Sequence, residues 1–113
     1  MVRRVLCCGT FDHLHPGHES FLQQAAALGD ELCVVVARDE NVQRIKGRRP
    51  EGSETLRLEA VAAMSCVDDA RLGYEGSNFL RVVEDIKPDV IAVGYDQHVP
   101  SRLSDAFPSC EIV

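Results

Sequence analysis

Residues 31–37, ELCVVVA, form an almost unbroken apolar run of strand-forming type. A strand with no polar face has to be covered on both sides, which is the environment of an inner strand in a parallel sheet. DVIAVG, at 89–94, has the same character. Parallel neighbours need long crossover connections, and the intervening stretches carry helical periodicity. These two runs therefore point to layers of helix on sheet rather than to a helical bundle or an all-β sandwich.

The remaining elements follow from local signals. VRRVLCC (2–8) predicts a first strand ending at Gly9. Pro16 suits the first position of a helix, where its missing N–H costs nothing. Phe21, Leu22, Ala25, Ala26 and Leu28 give that helix an apolar stripe, with Gly29 as its C-cap. Asp39 or Asn41 is the expected cap of a short helix ending at Gly47. Ser53 caps the next, with Leu56, Ala60, Val61 and Met64 on one face. DDARLG (68–73) is a weaker strand. GSN (76–78) caps a helix that turns Phe79, Val82, Val83 and Ile86 inward and stops before Pro88. SRLSDAF reads as a helical turn and CEIV (110–113) as a last strand. The expected fold is α/β: a doubly wound parallel sheet of about five strands, with right-handed crossovers and helices on both faces. Its 113 residues suit a single domain, 1–113.

Composition narrows the function classes. The net charge of −6 sets the surface against nucleic acid and anionic membranes. No apolar run approaches the roughly 20 residues of a membrane span, and no signal peptide opens the chain, so the expected location is cytoplasmic. Cys7, Cys8, Cys33, Cys66 and Cys110 are odd in number and contain no C-x-x-C pair, which fits reduced core thiols better than disulfides or structural zinc. Anionic ligands would need a local positive site. RIKGRRP (44–50), with Arg44, Lys46, Arg48 and Arg49, is the candidate, although such a run also suits a solvated loop.

The chemistry concentrates in CCGTFDHLHPGH, Cys7 to His18. A strand, a glycine turn and a helix N-terminus direct backbone N–H groups and the positive end of a helix dipole at a ligand. Gly9 allows close backbone approach, and the Thr10 hydroxyl adds a donor. His15 and His18 are three apart across Gly17, so both imidazoles fall on one side of the first helical turn. Two such donors can hold phosphate oxygens as charge develops at phosphorus, with no covalent nucleophile. A transition-metal site built from the three histidines and Cys7 or Cys8 is the competing reading. Strand alternation opposes it, because it sends the two cysteines to opposite faces.

GTFDHLHPGH resembles the H-x-G-H signature of the cytidylyltransferase-like nucleotidyltransferases. VVVARDENVQRIKGRRP, the Glu54–Val61 stretch with Arg57, and IKPDVIAVGYDQ are in turn similar to archaeal-type FAD synthetases. The resemblance implies a Rossmann-like fold and transfer of AMP from ATP to FMN, giving FAD and pyrophosphate. Cytidylyl transfer to glycerol 3-phosphate or a similar small phosphate is the neighbouring chemistry, and a nucleotide-binding module without catalysis is the non-enzymatic alternative. His15 and His18 would be catalytic. Thr10, Phe11, Pro16, Gly17, Lys46, Arg57 and Asp96 would join them in binding the nucleotide, with Lys46 on a basic loop and Arg57 supporting the phosphate site. On the bare residues, Arg57 pairing with Glu54 or Glu59, or Asp96 merely shaping a turn, stays open. A divalent metal, Mg2+ or similar, would accompany ATP, with Asp12 assisting, and the chain would act as a homodimer. His13 stands where the family usually has an aliphatic residue. The family also continues past its last strand into a Ser/Thr-rich, phosphate-binding segment, and this sequence ends at Val113 without one.

Overall fold

In the computed structural model, residues 2–14, 16–73, 79–92 and 111–112 are described, with the backbone alone at 45–46, 79–80 and 111–112. The elements run β1 (Arg4–Gly9), α1 (Pro16–Ala26), β2 (Glu31–Val36), α2 (Asp39–Lys46), α3 (Glu54–Ala62), β3 (Asp69–Leu72), α4 (Phe79–Ile86), β4 (Val90–Ala92) and β5 (Glu111–Ile112). The five strands form one sheet in the order β3-β2-β1-β4-β5. Every pairing is parallel, with Leu6 opposite both Cys33 and Ile91. The order reverses beside β1, which is where doubly wound sheets open a crevice at their carboxyl ends.

The continuous apolar strands are buried on both faces, as their sequence requires. On one face Val5 and Cys7 of β1 pack with Leu32, Val34 and Val36 of β2, under Leu22 and Ala25 of α1 and Val61 of α3. On the other, Leu6, Cys33, Val35 and Ile91 pack under Val82, Val83 and Ile86 of α4, with Cys8 against them. Cys7 and Cys8 do point to opposite faces. Burial pushes the Cys7 thiol up to about 12 and the Cys33 thiol up to about 11, and raises Cys8 as well. A thiol held protonated in this way is a poor nucleophile and a poor metal ligand. The described cysteines 7, 8, 33 and 66 are all free.

The amino-terminal edge of the sheet carries a repeated fastening. Asp30, Asp68 and Asp89 immediately precede β2, β3 and β4. The carboxylate of each accepts the amide of a residue on, or directly before, the neighbouring strand: Arg3 at 2.8 Å, Leu32 at 2.7 Å and Arg4 at 2.9 Å. Each also donates its own amide to the carbonyl of that residue. A one-residue slip would break both bonds, so these aspartates pin the register.

Three local expectations are corrected. Helix α1 ends at Ala26, and Gly29 lies beyond it without a positive φ. It is glycine for room: a Cβ there would sit 2.6 Å from the Arg3 carbonyl oxygen. Neither Asp39 nor Asn41 caps α2, whose N-cap is Arg38 with no side-chain bond, because the Asp39 carboxylate is drawn elsewhere. Leu56 is 62% exposed, and the inward face of α3 carries Arg57 and Val61. Ser53 caps α3 through the Leu56 amide and Gly47 closes α2 at φ 79°, both as expected. The Phe79 side chain, the 76–78 cap, 93–94 and the 101–107 turn lie outside the described residues, as does Cys110.

Candidate active site

Strand β1 delivers Gly9 to the carboxyl edge at the switch point, and the turn after it is tightly folded. Phe11 and His13 both take left-handed backbone, at φ 53° and 52°. This lets the Phe11 ring fold back over the strand end, where it is buried; a Cβ on Gly9 would stand 2.9 Å from its Cε2. Phe11 meets His18 edge-on, with ring centroids 5.7 Å apart at 69°. His18 sits in the first turn of α1, so an imidazole at the helix N-terminus is seated against an aromatic anchor. Edge-to-face contact fixes the plane of an imidazole as well as its place.

The turn is braced from beneath by Arg57, which is 3% exposed. Its Nη1 donates to the Thr10 carbonyl at 2.8 Å, its Nε to the Gly52 carbonyl at 2.9 Å, and its Nη2 to Asp39 Oδ1 at 2.6 Å. Every nitrogen of the guanidinium therefore has an acceptor within the protein, and the buried cation has its counter-ion. Glu54 extends the network: its carboxylate accepts from the Asp39 amide at 3.1 Å and pairs with Arg38 at 3.4 Å.

Asp12 ties the same turn to the start of α3. Its two oxygens accept the amides of Glu51 and Gly52, each at 2.9 Å. Partial burial pushes this carboxyl upward, but the two amides, aided by the charges of His13 and Arg57, outweigh it and hold it below its ordinary value. His13 completes the join with Nε2 2.6 Å from Glu51 Oε2.

Of the residues singled out in the sequence, Thr10, Phe11, Pro16, Gly17 and His18 come together at this edge, with Arg57 directly under Thr10. Arg57 pairs with Asp39, not with Glu54 or Glu59. Lys46 closes α2, and its side chain lies outside the described residues, as do His15 and Asp96. Among the described residues no three His, Cys, Asp or Glu side chains gather in a way that would hold a metal ion. Asp12, a carboxylate of the turn itself, already accepts two amides. The described donors therefore do not form a protein cage for a cation. No helix among the described residues is long and apolar enough to cross a membrane.

The cytidylyltransferase-like family model matches residues 6–113. The chain belongs to the cytidylyltransferase-like family. Among the curated proteins it resembles are FAD synthases of Methanosarcina acetivorans, 52% identical over 91% of this chain and 66% of the relative, and of Haloferax volcanii, 50% identical over 86% and 66%. That of Methanobrevibacter smithii is 48% identical over 94% and 71%. The chain thus spans about two thirds of the length of these curated relatives. Among solved structures, the lipopolysaccharide core biosynthesis protein of Thermoplasma volcanium superposes with a TM-score of 0.91 at 39% identity, covering 100% of this chain and 95% of that one. The α/β parallel architecture is shared with it.

Within this cytidylyltransferase-like site, Asp39, Glu51 and Glu54 are the residues that sequence reasoning missed. Their signal was weak: three acids beside a run of arginines, each equally at home on a solvated helix end. What the arrangement offers chemically is a rigid turn at a helix N-terminus carrying an oriented imidazole, which is suited to holding phosphate oxygens.

Proposed function

We propose that this cytidylyltransferase-like protein is an FMN adenylyltransferase, joining the AMP moiety of ATP to FMN to give FAD and pyrophosphate. The observation that carries the choice of substrates is the identity of about half of its residues with archaeal FAD synthases. The seat of His18 at the carboxyl end of β1 supports the choice of chemistry.

In this reading the FMN phosphate attacks the α-phosphorus of ATP in line, and pyrophosphate leaves with inversion and no enzyme-bound intermediate. His15 and His18 donate to phosphate oxygens whose charge grows in the transition state. Thr10, Phe11, Pro16 and Gly17 shape and line the phosphate turn. Lys46 offsets triphosphate charge, and Asp96 meets the nucleoside. Arg57, with its nitrogens taken by protein acceptors, supports the phosphate site by holding Thr10 rather than by touching phosphate. The divalent cation enters with the triphosphate as part of the substrate. The reaction is cytoplasmic and the working unit a homodimer.

The test is a product assay on the reduced chain with Mg2+, pairing FMN or glycerol 3-phosphate with ATP or CTP. FAD from ATP and FMN alone is the expected result. A cytidylyl product from glycerol 3-phosphate would transfer the assignment to the neighbouring chemistry. Tight ATP binding without product from any pair would instead leave a nucleotide-binding module.

A further inference from the structure

His13 is the one histidine of the motif that the proposed chemistry does not use, and it holds an unusual backbone conformation. At φ 52° a non-glycine residue is strained, though histidine, asparagine and aspartate tolerate that region better than most. The conformation places two consecutive side chains of the turn on two consecutive residues of another loop. Asp12 takes the Glu51 and Gly52 amides, and His13 takes the Glu51 carboxylate at 2.6 Å. Strained residues persist where surrounding contacts over-determine them.

Glu51 is placed at a junction. It ends the stretch RIKGRRPE, in which it is the sole acid after four basic residues. The other end of that stretch belongs to α2, whose own beginning is gripped by Arg57 and Glu54 through Asp39. Within it, Arg49 donates to Gln43 at 3.1 Å, folding the segment back on α2. The basic segment is therefore a short strap, anchored on α2 and buckled at Glu51 to the H-x-G-H turn.

We infer that His13 and Glu51 are positioning residues, a clasp that fastens the basic strap 44–50, through the Glu51 that follows it, beside the phosphate turn. This inference rests on the reading above for the identity of that ligand; the clasp itself does not. Neither residue need touch substrate.

The experiment uses His13→Asn, which keeps a residue tolerant of left-handed backbone but too short to reach Glu51, together with Glu51→Ala, the double variant and Glu51→Gln. Two quantities are read on the intact chain: ATP affinity by calorimetry, and the rate of trypsin nicking after Lys46 and Arg48, Arg49 being shielded by the following proline. Both groups are exposed, so an effect of about 2- to 5-fold is expected in each readout. The double variant should lose no more than either single one, and Glu51→Gln, which keeps the acceptor, should recover most of the protection from trypsin. KM for ATP should rise while kcat stays within about twofold, as for lost uniform binding. Unchanged nicking in both single variants, or losses that add in the double, would overturn the clasp. If the unsubstituted chain binds no nucleoside triphosphate, the functional reading fails, while the nicking rates still decide whether the clasp exists.

Discussion

Arg57 donates to the carbonyl of Thr10 across 47 positions of sequence, at 2.8 Å. A buried guanidinium on α3 thus sets the height of the turn that carries the H-x-G-H motif. The same side chain holds the Gly52 carbonyl and the Asp39 carboxylate, so it joins three segments at one point.

Removing it should be costly. Arg57→Ala leaves the Asp39 carboxylate, 18% exposed in its side chain, without its main partner, and losing one member of a buried pair costs about 3–5 kcal/mol. Arg57→Lys keeps the charge but cannot span three acceptors, so it should be nearly as damaging. Leu56→Gln, one residue away on the exposed face, should stay within about 0.5 kcal/mol of the parent. Denaturant midpoints for the three variants check this; equal losses at 56 and 57 would contradict the inward placing of Arg57.

Asp12 gives a pH signature. Its carboxyl is held below the ordinary value of 3.8 in the folded chain, so the folded state favours its charged form. Its contribution to stability is fully present above about pH 4 and is lost as the pH falls through the lowered folded value. Asp12→Asn should therefore flatten the acid side of the stability curve below pH 4 and lower the plateau above it. A curve parallel to that of the parent would remove Asp12 from the account.

For His18, the expectation is kinetic. His18→Ala should lower kcat by about 10²–10³-fold, the scale of one lost oxyanion-type donor, with little change in melting temperature. A rise in KM of that size at unchanged kcat would instead mark a ground-state binding role.

Gly9→Ala probes how His18 is seated. The new Cβ would stand 2.9 Å from the Phe11 ring, which must shift from its present seat. Overpacking of this kind costs about 1–3 kcal/mol. Because Phe11 also orients His18, kcat should fall along with stability. Lost stability at full kcat would show that the edge-on contact is incidental.

The parts of the fold legible in the sequence are those whose physics is local. ELCVVVA and DVIAVG announce inner parallel strands because nothing polar interrupts them, and Pro16, Gly47 and Ser53 mark helix ends by their own backbone preferences. The strand end at Gly9 and the helix start at Pro16, which bracket the candidate turn, were legible for the same reason. What escaped depends on distance. Leu56 looks inward and Arg57 outward until the Thr10 carbonyl is known to lie within reach of the Arg57 guanidinium. Asp39 resembles a helix cap until its carboxylate is claimed by Arg57. His13 had only the competing metal reading until its partner Glu51, 38 positions further on, was in view.

The aspartates at the other edge of the sheet carry a wider consequence. Asp30, Asp68 and Asp89 fasten neighbouring strands at the end opposite the candidate site. Alignment of the strands is thereby settled without help from the loops on the opposite side. Those loops are left at liberty to change in length and composition as substrates change, and the scaffold beneath them need not be renegotiated each time.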